Sequence, residues 1–155
     1  NDVATHWPTY KEAANKVGLN PSFKKWRIGR SVLITSSNSE AKDIIEDPSG
    51  VFSHYFLYLN TVSKLASGIL GKNINLNEEL PSAMKKAKDL IILGDEKTVI
   101  EKLINFIDIV GPFGTLLLTG HDTGNFKKMW QNSFSVMSNS IQPILNKYIN
   151  QKFKV

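Results

Sequence analysis

GPFGTLLLTGHD, residues 111–122, is the stretch of this sequence that decides its fold. It opens with a tight glycine–proline turn, continues as a short apolar run, and ends in a glycine followed by two ionisable residues. A short apolar run bounded by glycines is typical of a β-strand that is buried on both faces. We therefore predict a strand at residues 115–119. We expect Leu117 to be a buried leucine, whose truncation to alanine would cost about 2–5 kcal/mol of stability.

Helical patterns flank this stretch on both sides. Upstream, Asp95 can cap a helix whose apolar residues recur every three or four positions over residues 99–110. Downstream, a similar apolar stripe runs over residues 130–145. Strands that alternate with helices indicate an α/β fold, in which ligands bind beyond the carboxyl ends of the strands. We therefore expect residues 120–122, at the end of the predicted strand, to face a ligand or another residue of a site.

A second strand is predicted at residues 26–35, and it carries the two arginines of the chain, Arg27 and Arg30. Three residues apart on a strand, they point to opposite faces, so at most one of them can reach a site. The rigid guanidinium makes either a candidate ligand of a phosphate or carboxylate, and a structural ion pair is the alternative. The other expected elements are a helix that ends near residue 17, a helix that begins at Ser37 and runs to about residue 46, a helix at about 51–69, a surface loop at 71–81, and a long final helix at about 126–148. Residues 90–94 suit a strand or a helix end, and we favour a helix that ends at Gly94.

Composition excludes several classes of site. The chain has 155 residues and no cysteine, which rules out disulfides and thiolate chemistry. Its three histidines do not form a metal-binding pair, so we expect no metal. The net charge of +5 is spread over scattered lysines, and we therefore expect no nucleic-acid partner. No apolar segment is long enough to span a bilayer, so we expect no membrane association and a cytoplasmic location.

Four segments in order resemble the C-terminal part of the luciferase-like flavin-dependent monooxygenases, a family that includes bacterial luciferase and alkanesulfonate monooxygenase. They are HWPTY (residues 6–10), WRIGR (26–30), LGDEKTV (93–99) and the stretch at 111–122. The resemblance implies an α/β fold that is a partial (β/α)8 TIM barrel made of C-terminal strands and helices. Residues 1–155 would form part of one barrel domain, with 36–88 as a helical insertion between two strands. Since a complete barrel takes ~250 residues, we expect a C-terminal fragment that is inactive alone.

The resemblance also implies a function. The complete enzyme would take reduced FMN from a flavin reductase and use O2 to oxygenate a small organic substrate. The flavin phosphate or an anionic substrate would lie near Gly120, His121 and Asp122, with Arg30 as a further ligand. In the alternative view, Asp122 caps a turn and His121 packs against the final helix. A deazaflavin-dependent reductase on the same barrel, a non-catalytic α/β interaction domain and a homo-oligomer also remain open.

Overall fold

The computed structural model describes residues 3–66, 75–121 and 126–153, which form a mixed α/β fold that is mostly helical with small parallel sheets. In chain order the elements are α1 (Val3–Lys16), a 3₁₀ turn (Phe23–Lys25), β1 (Arg27–Arg30), β2 (Val32–Ile34), α2 (Asn38–Glu46), α3 (Val51–Ala66), α4 (Leu76–Leu90), β3 (Ile92–Gly94), α5 (Glu96–Val110), β4 (Thr115–Leu118), α6 (Lys127–Val136), a π-helical turn (Met137–Ile141) and α7 (Gln142–Phe153). The predicted α/β class is confirmed. None of the helices within the described ranges is long and apolar enough to cross a bilayer.

The strands meet along one central segment, β1 and β2, which Ser31 separates. β1 pairs in parallel with β4, and β2 pairs in parallel with β3. The carbonyl of Arg30 accepts a hydrogen bond from Thr119 N–H, whereas the carbonyl of the next residue, Ser31, accepts one from Ile92 N–H, both at 2.9 Å. Successive residues of an extended chain direct their backbone groups to opposite sides, so β4 and β3 flank the central segment on opposite sides. In the described residues, β4 therefore lies beside β1 and not beside β3.

Side chains of the central segment alternate between two faces. Ile28, Val32 and Ile34 are buried on the face that α5 and α7 cover. Their packing partners on those helices are Val99, Leu103, Phe106, Ile107, Val110 and Leu145. Leu33 points to the other face, where it packs with Phe52 of α3 and with α2, α4 and α6. One core thus lies under α5 and α7, and a second one lies under α2, α3, α4 and α6.

Helix starts follow the local sequence where a capping residue is present. The Ser37 side chain accepts a hydrogen bond from Glu40 N–H, and the Glu40 carboxylate accepts one from Ser36 N–H. This reciprocal pairing satisfies two backbone donors at the start of α2. Asp95 accepts from Thr98 N–H at 2.8 Å at the start of α5, and this hydrogen bond holds the pKa of the Asp95 carboxyl below its ordinary value. Both predicted helix starts are confirmed.

Two sequence predictions around α4 are wrong. The expected loop at residues 71–81 is helical from Leu76, with Asn75 as the cap; residues 71–74 lie outside the described ranges. Acidic residues in the first turn favour this helix, because they complement the helix dipole. The helix that we expected to end at Gly94 ends instead at Leu90, and Ile92–Gly94 is strand β3. Parallel pairing with buried β2 decides the strand conformation there, which a short apolar run cannot do by itself.

The prediction for β4 is correct for its position and wrong for its burial. The strand covers Thr115–Leu118, but its side chains are half-buried or exposed, and Leu117 is 51% exposed. Leu117→Ala should therefore not carry the cost of a buried leucine. Before the strand, a Cβ on Gly114 would lie 1.9 Å from the backbone oxygen of Lys24. Glycine is needed at that position because two backbones approach closely.

The predicted final helix is present as α6, the π-helical turn and α7, which together run from Lys127 to Phe153. The expected helix at 51–69 is α3, which is described as far as Ala66; residues 67–69 lie outside the described ranges.

In α6 the hydroxyl of Ser133, a buried residue, accepts a hydrogen bond from Ile34 N–H at 2.9 Å. This contact satisfies a β2 backbone donor on the side where β4 has already ended.

Candidate functional site

The β1–β4 pair has one face covered by helices and one open face. On β1, Ile28 is 4% exposed under α5, whereas its neighbours Arg27 and Gly29 are exposed. On β4, Leu117, which is aligned with Gly29, is also exposed. We call this surface the open face. Ser31 lies at the carboxyl end of β1, beside the residues that follow β4, so the open face leads to the predicted site.

His121 is held at this end of the open face by one polar contact and three aromatic rings. Its Nε2 lies 2.8 Å from the Oγ of Ser31. The ring centroid lies 5.2 Å from that of Phe52, 4.6 Å from that of Tyr55 and 6.1 Å from that of Trp130. We call these three residues the aromatic box. Phe52 and Tyr55 are three residues apart on α3 and therefore share one side of that helix, while Trp130 comes from α6.

The surroundings of His121 favour its neutral form. Burial lowers the pKa of His121 below its ordinary value of 6.5, since the low-dielectric surroundings penalise the imidazolium ion. Trp130 is 5% exposed, and its buried indole N–H has no hydrogen-bond partner in the part of the chain that the structure describes. The box thus places a buried donor, which has no acceptor among the described residues, beside an imidazole whose neutral form is favoured.

Gly120 leaves free space beside His121. Among the described residues outside its chain neighbours, a Cβ at this position would come no closer than 4.0 Å, the contact being the ring of Phe134. The backbone at Gly120 is outside the positive-φ region that favours glycine, which among the described glycines is adopted by Gly18, Gly94 and Gly111. The approach to this backbone is therefore open, and the fold does not require glycine here. Asp122, the next predicted site residue, lies outside the described residues.

Arg30 is placed away from this group. Its guanidinium carbon lies 4.6 Å from the ring centroid of Phe106 on α5, and its Nη1 donates to the carbonyl of Gly29 at 3.0 Å. Partial burial lowers the pKa of Arg30 from its ordinary value. Arg27 and Arg30 point to opposite faces, as the strand period predicted, but Arg30 is the one on the helix-covered face. The structure thus brings Gly120 and His121 together and separates Arg30 from them.

The sequence did not assign Ser31 or Trp130 to a site, and it left the aromatic stripe of α3, with Phe52 and Tyr55, open between a substrate pocket and plain core. Ser31 is a hydroxyl residue in the middle of the predicted strand, directly before the apolar run at 32–34, and this is a signal that could have marked it. Phe52, Tyr55 and Trp130 belong to apolar helical stripes, and such stripes are usual in ordinary cores. Only the packing of α3 and α6 against the end of β4 shows that these rings surround His121.

Comparison with known proteins identifies a relative. No family model matches the chain. Over 140 residues it is 24% identical to the 3,6-diketocamphane 1,6-monooxygenase of Pseudomonas putida, an alignment that covers 89% of this chain and 37% of the relative. The chain is homologous to part of this luciferase-like monooxygenase. The resemblance drawn from the four sequence segments is therefore confirmed.

A solved structure agrees with this homology. It is a type II Baeyer–Villiger monooxygenase, the oxygenating constituent of 3,6-diketocamphane monooxygenase from the CAM plasmid of Pseudomonas putida, in complex with FMN. The superposition has a TM-score of 0.67 with 21% identity, and it covers 91% of this chain and 39% of that one. At this identity the match is evidence for the fold alone. The homologous chain thus spans less than half the length of either relative.

Proposed function

We propose that the protein to which this chain belongs is a flavin-dependent monooxygenase, which uses reduced FMN and O2 to oxygenate a small organic substrate. The observation that carries this proposal is the homology over 89% of the chain to a monooxygenase. The solved relative is a Baeyer–Villiger enzyme in complex with FMN, which favours FMN over a deazaflavin and a cyclic ketone as the substrate class. Nothing in the described residues favours a non-catalytic interaction domain.

The proposal includes an architecture. Residues 1–155 would be the C-terminal part of one (β/α)8 barrel, and residues 36–88, which contain α2, α3 and most of α4, would be an insertion above its mouth. The parallel β1–β4 pair supports it, with helices packed on one face and an open opposite face, because a barrel keeps its helices outside. The β2–β3 pair is covered by helices on both faces, and the proposed insertion supplies α2, α3 and α4 on the second face. In a regular barrel each strand pairs with the next one along the chain. The pairing of β4 with β1, rather than with β3, is where this chain departs from that pattern.

This departure can be tested by crosslinking, since the chain has no cysteine of its own. Gly29 and Leu117 are aligned partners in the β1–β4 ladder, and both are exposed. Neighbouring strands bring Cα atoms into the range that a disulfide requires. A Gly29→Cys, Leu117→Cys double variant of the whole protein should therefore oxidise to an intramolecular disulfide. If it does not, while each single variant reacts with a thiol reagent, β4 has another neighbour in the whole protein.

The residues predicted for the flavin phosphate do not all fit that group. Gly120 fits, because its backbone can be approached without steric hindrance. Arg30 does not fit, since it faces Phe106 of α5, and a neutral His121 contributes no positive charge to a dianion. When bound, the flavin would supply the activation of O2. The contribution of this chain would be to bind and orient the substrate at the open face and to limit the access of water beside the aromatic box.

Partners and location complete the proposal. A flavin reductase would supply the reduced FMN, as the family resemblance implies, and the protein would be cytoplasmic. We also propose that the whole protein associates into a homo-oligomer. These statements concern the whole protein. The 155-residue chain alone should not retain FMN after desalting, because part of a barrel leaves strand edges unpaired and exposed.

The decisive experiment uses the whole protein with FMN, NADH and a flavin reductase. Under air, we expect a cyclic ketone such as 3,6-diketocamphane to gain the mass of one oxygen atom. No product should form under argon, with a deazaflavin in place of FMN, or without the reductase. If the ketone is unchanged under air while reduced FMN binds with normal stoichiometry, the monooxygenase proposal is wrong for this substrate class. If reduced FMN does not bind, the flavin assignment itself is wrong.

A further inference from the structure

We infer that His121 and Ser31 form a neutral hydrogen-bonding pair that binds the uncharged carbonyl group of the substrate, and not the flavin phosphate. This inference rests on the proposed function for the identity of the substrate. It assigns to Ser31 a role that the sequence did not indicate. It also replaces the anion that we expected at His121 by an uncharged ligand.

The His121–Ser31 pair has one more proton than its own hydrogen bond uses. A neutral imidazole and a hydroxyl share two exchangeable protons, and the 2.8 Å contact between Nε2 and Oγ uses one of them. If Ser31 donates to Nε2, the imidazole proton is on Nδ1. If Nε2 donates to Ser31, the free proton is on Oγ. In either tautomer the pair keeps one donor for a ligand, and a carbonyl oxygen can accept it.

The surroundings of His121 favour an uncharged ligand over a phosphate. A phosphate needs cations or several backbone donors, because its charge must be compensated once it leaves water. The aromatic box surrounds His121 with rings, and the guanidinium of Arg30 lies over Phe106 on the helix-covered face. Burial also favours the neutral imidazole. The described surroundings of His121 are thus suited to an apolar ligand with one polar atom, which describes a cyclic ketone.

The open face gives a ligand access to the His121–Ser31 pair. At the end of β1 and β4, Gly29, Thr119 and Gly120 are exposed, and Ser31 and His121 are half-buried. Among the described residues outside its chain neighbours, a Cβ at Gly29 would first meet the hydroxyl of Thr119, at 3.9 Å. A compact apolar ligand can therefore lie on the open face beside these residues. Its carbonyl oxygen would reach the His121–Ser31 pair, and the half-buried ring of Tyr55 on α3 would contact its apolar surface.

The experiment compares substitutions in the whole protein with two ligands. His121→Ala removes the imidazole that binds the ketone carbonyl, and His121→Gln replaces it by an uncharged side chain that can still donate a hydrogen bond. Ser31→Ala removes the hydroxyl that orients the imidazole. The matched control is His54→Gln, since His54 is exposed on α3 and belongs to neither the pair nor the box. The measurements are the Kd of FMN by flavin fluorescence, the Kd of 3,6-diketocamphane by calorimetry, KM and kcat, and thermal midpoints that verify folding.

For His121→Ala we expect the Kd and KM of the ketone to rise about 3–10-fold, the effect of one neutral hydrogen bond, with the Kd of FMN unchanged. Glutamine should restore most of the loss. Ser31→Ala should show the same change at smaller size, and the control should behave as wild type. If FMN binds more weakly and the ketone binds normally, His121 belongs to the flavin site and the inference is wrong. The inference is also wrong if the binding of both ligands is unchanged.

The two proposals fail in different ways. A wild-type protein that binds the ketone through His121 but adds no oxygen contradicts the monooxygenase proposal and supports the binding pair. An active wild-type enzyme whose ketone binding does not respond to His121→Ala contradicts the binding pair alone. If His121→Ala proves unstable, His121→Gln and Ser31→Ala test the binding pair in its place. For each of them, the change in the Kd of the ketone is compared with the change in the Kd of FMN.

Discussion

The two faces of the β1–β4 sheet differ more than their sequence suggests. On the face covered by α5 and α7, Ile28 and the following Val32 are almost completely buried. On the open face, Leu117 is half exposed and Gly29 leaves a flat surface. The same short strands thus contribute alternate residues to the core and to a ligand-accessible surface. An apolar run identifies a strand here, but it does not report how many of its faces are covered.

The largest expected effect distinguishes the two faces with one chemical change. Leu103→Ala removes a side chain that is 0% exposed in the core under α5. It should lower the free energy of unfolding by about 2–5 kcal/mol, since the cavity cannot be refilled by water. Leu117→Ala on the open face is the matched control and should change stability by about 0.5 kcal/mol or less. Urea unfolding of both variants measures the difference, and equal losses would mean that Leu117 is covered in the folded protein.

A second comparison uses two glycines at opposite ends of β4. Gly114→Ala places a Cβ against the backbone of Lys24 and should destabilise the protein by about 1–3 kcal/mol, because backbone has to move. Gly120→Ala has free space and should stay within about 0.5 kcal/mol of wild type. Thermal midpoints of the two variants provide the measurement. A large loss for Gly120→Ala would show that this backbone is packed and not available to a ligand.

The two arginines give a smaller effect. Arg30→Gln removes the cation–π contact with Phe106 and should cost about 0.5–1 kcal/mol of stability without weakening FMN binding. Arg27→Gln, the same change at an exposed position on the other face, should leave stability unaltered. Urea unfolding and FMN titration check both variants. Loss of FMN affinity in Arg30→Gln at normal stability would return Arg30 to the flavin site.

The smallest effect is a pH dependence of stability at the aromatic box. The pKa of His121 is lower in the folded protein than its ordinary value of 6.5, so the unfolded chain binds the proton more tightly. The contribution of the neutral imidazole is therefore complete above pH 6.5. It is lost as the pH falls from there through the folded-state pKa. His121→Gln should flatten this part of the curve; unfolding midpoints of the wild type and the variant between pH 5 and 8 will show whether their slopes differ.

Some of the fold and little of the site could be predicted from the sequence. Local chemistry was sufficient for the starts of α2 and α5, where Ser37 and Asp95 cap helices through neighbours within three residues. It was insufficient for residues 90–94, because a short apolar run suits a helix end and a buried strand equally. There the parallel pairing of β3 with β2 decided the conformation. For residues 76–81, asparagine and glutamate that we interpreted as a loop form the first turns of α4.

The sequence by itself determined the α/β class, the position of β4 and the opposite directions of Arg27 and Arg30, because each follows from a period or a cap within a few residues. The tertiary structure alone decided which arginine faces a helix, and that β4 lies beside β1. It also decided the surroundings of His121. Ser31 is 90 residues away from His121, and the rings of α3 and α6 reach it only after three elements have packed together. Contacts between residues so distant in the chain depend on the packing of whole elements, which local patterns do not record.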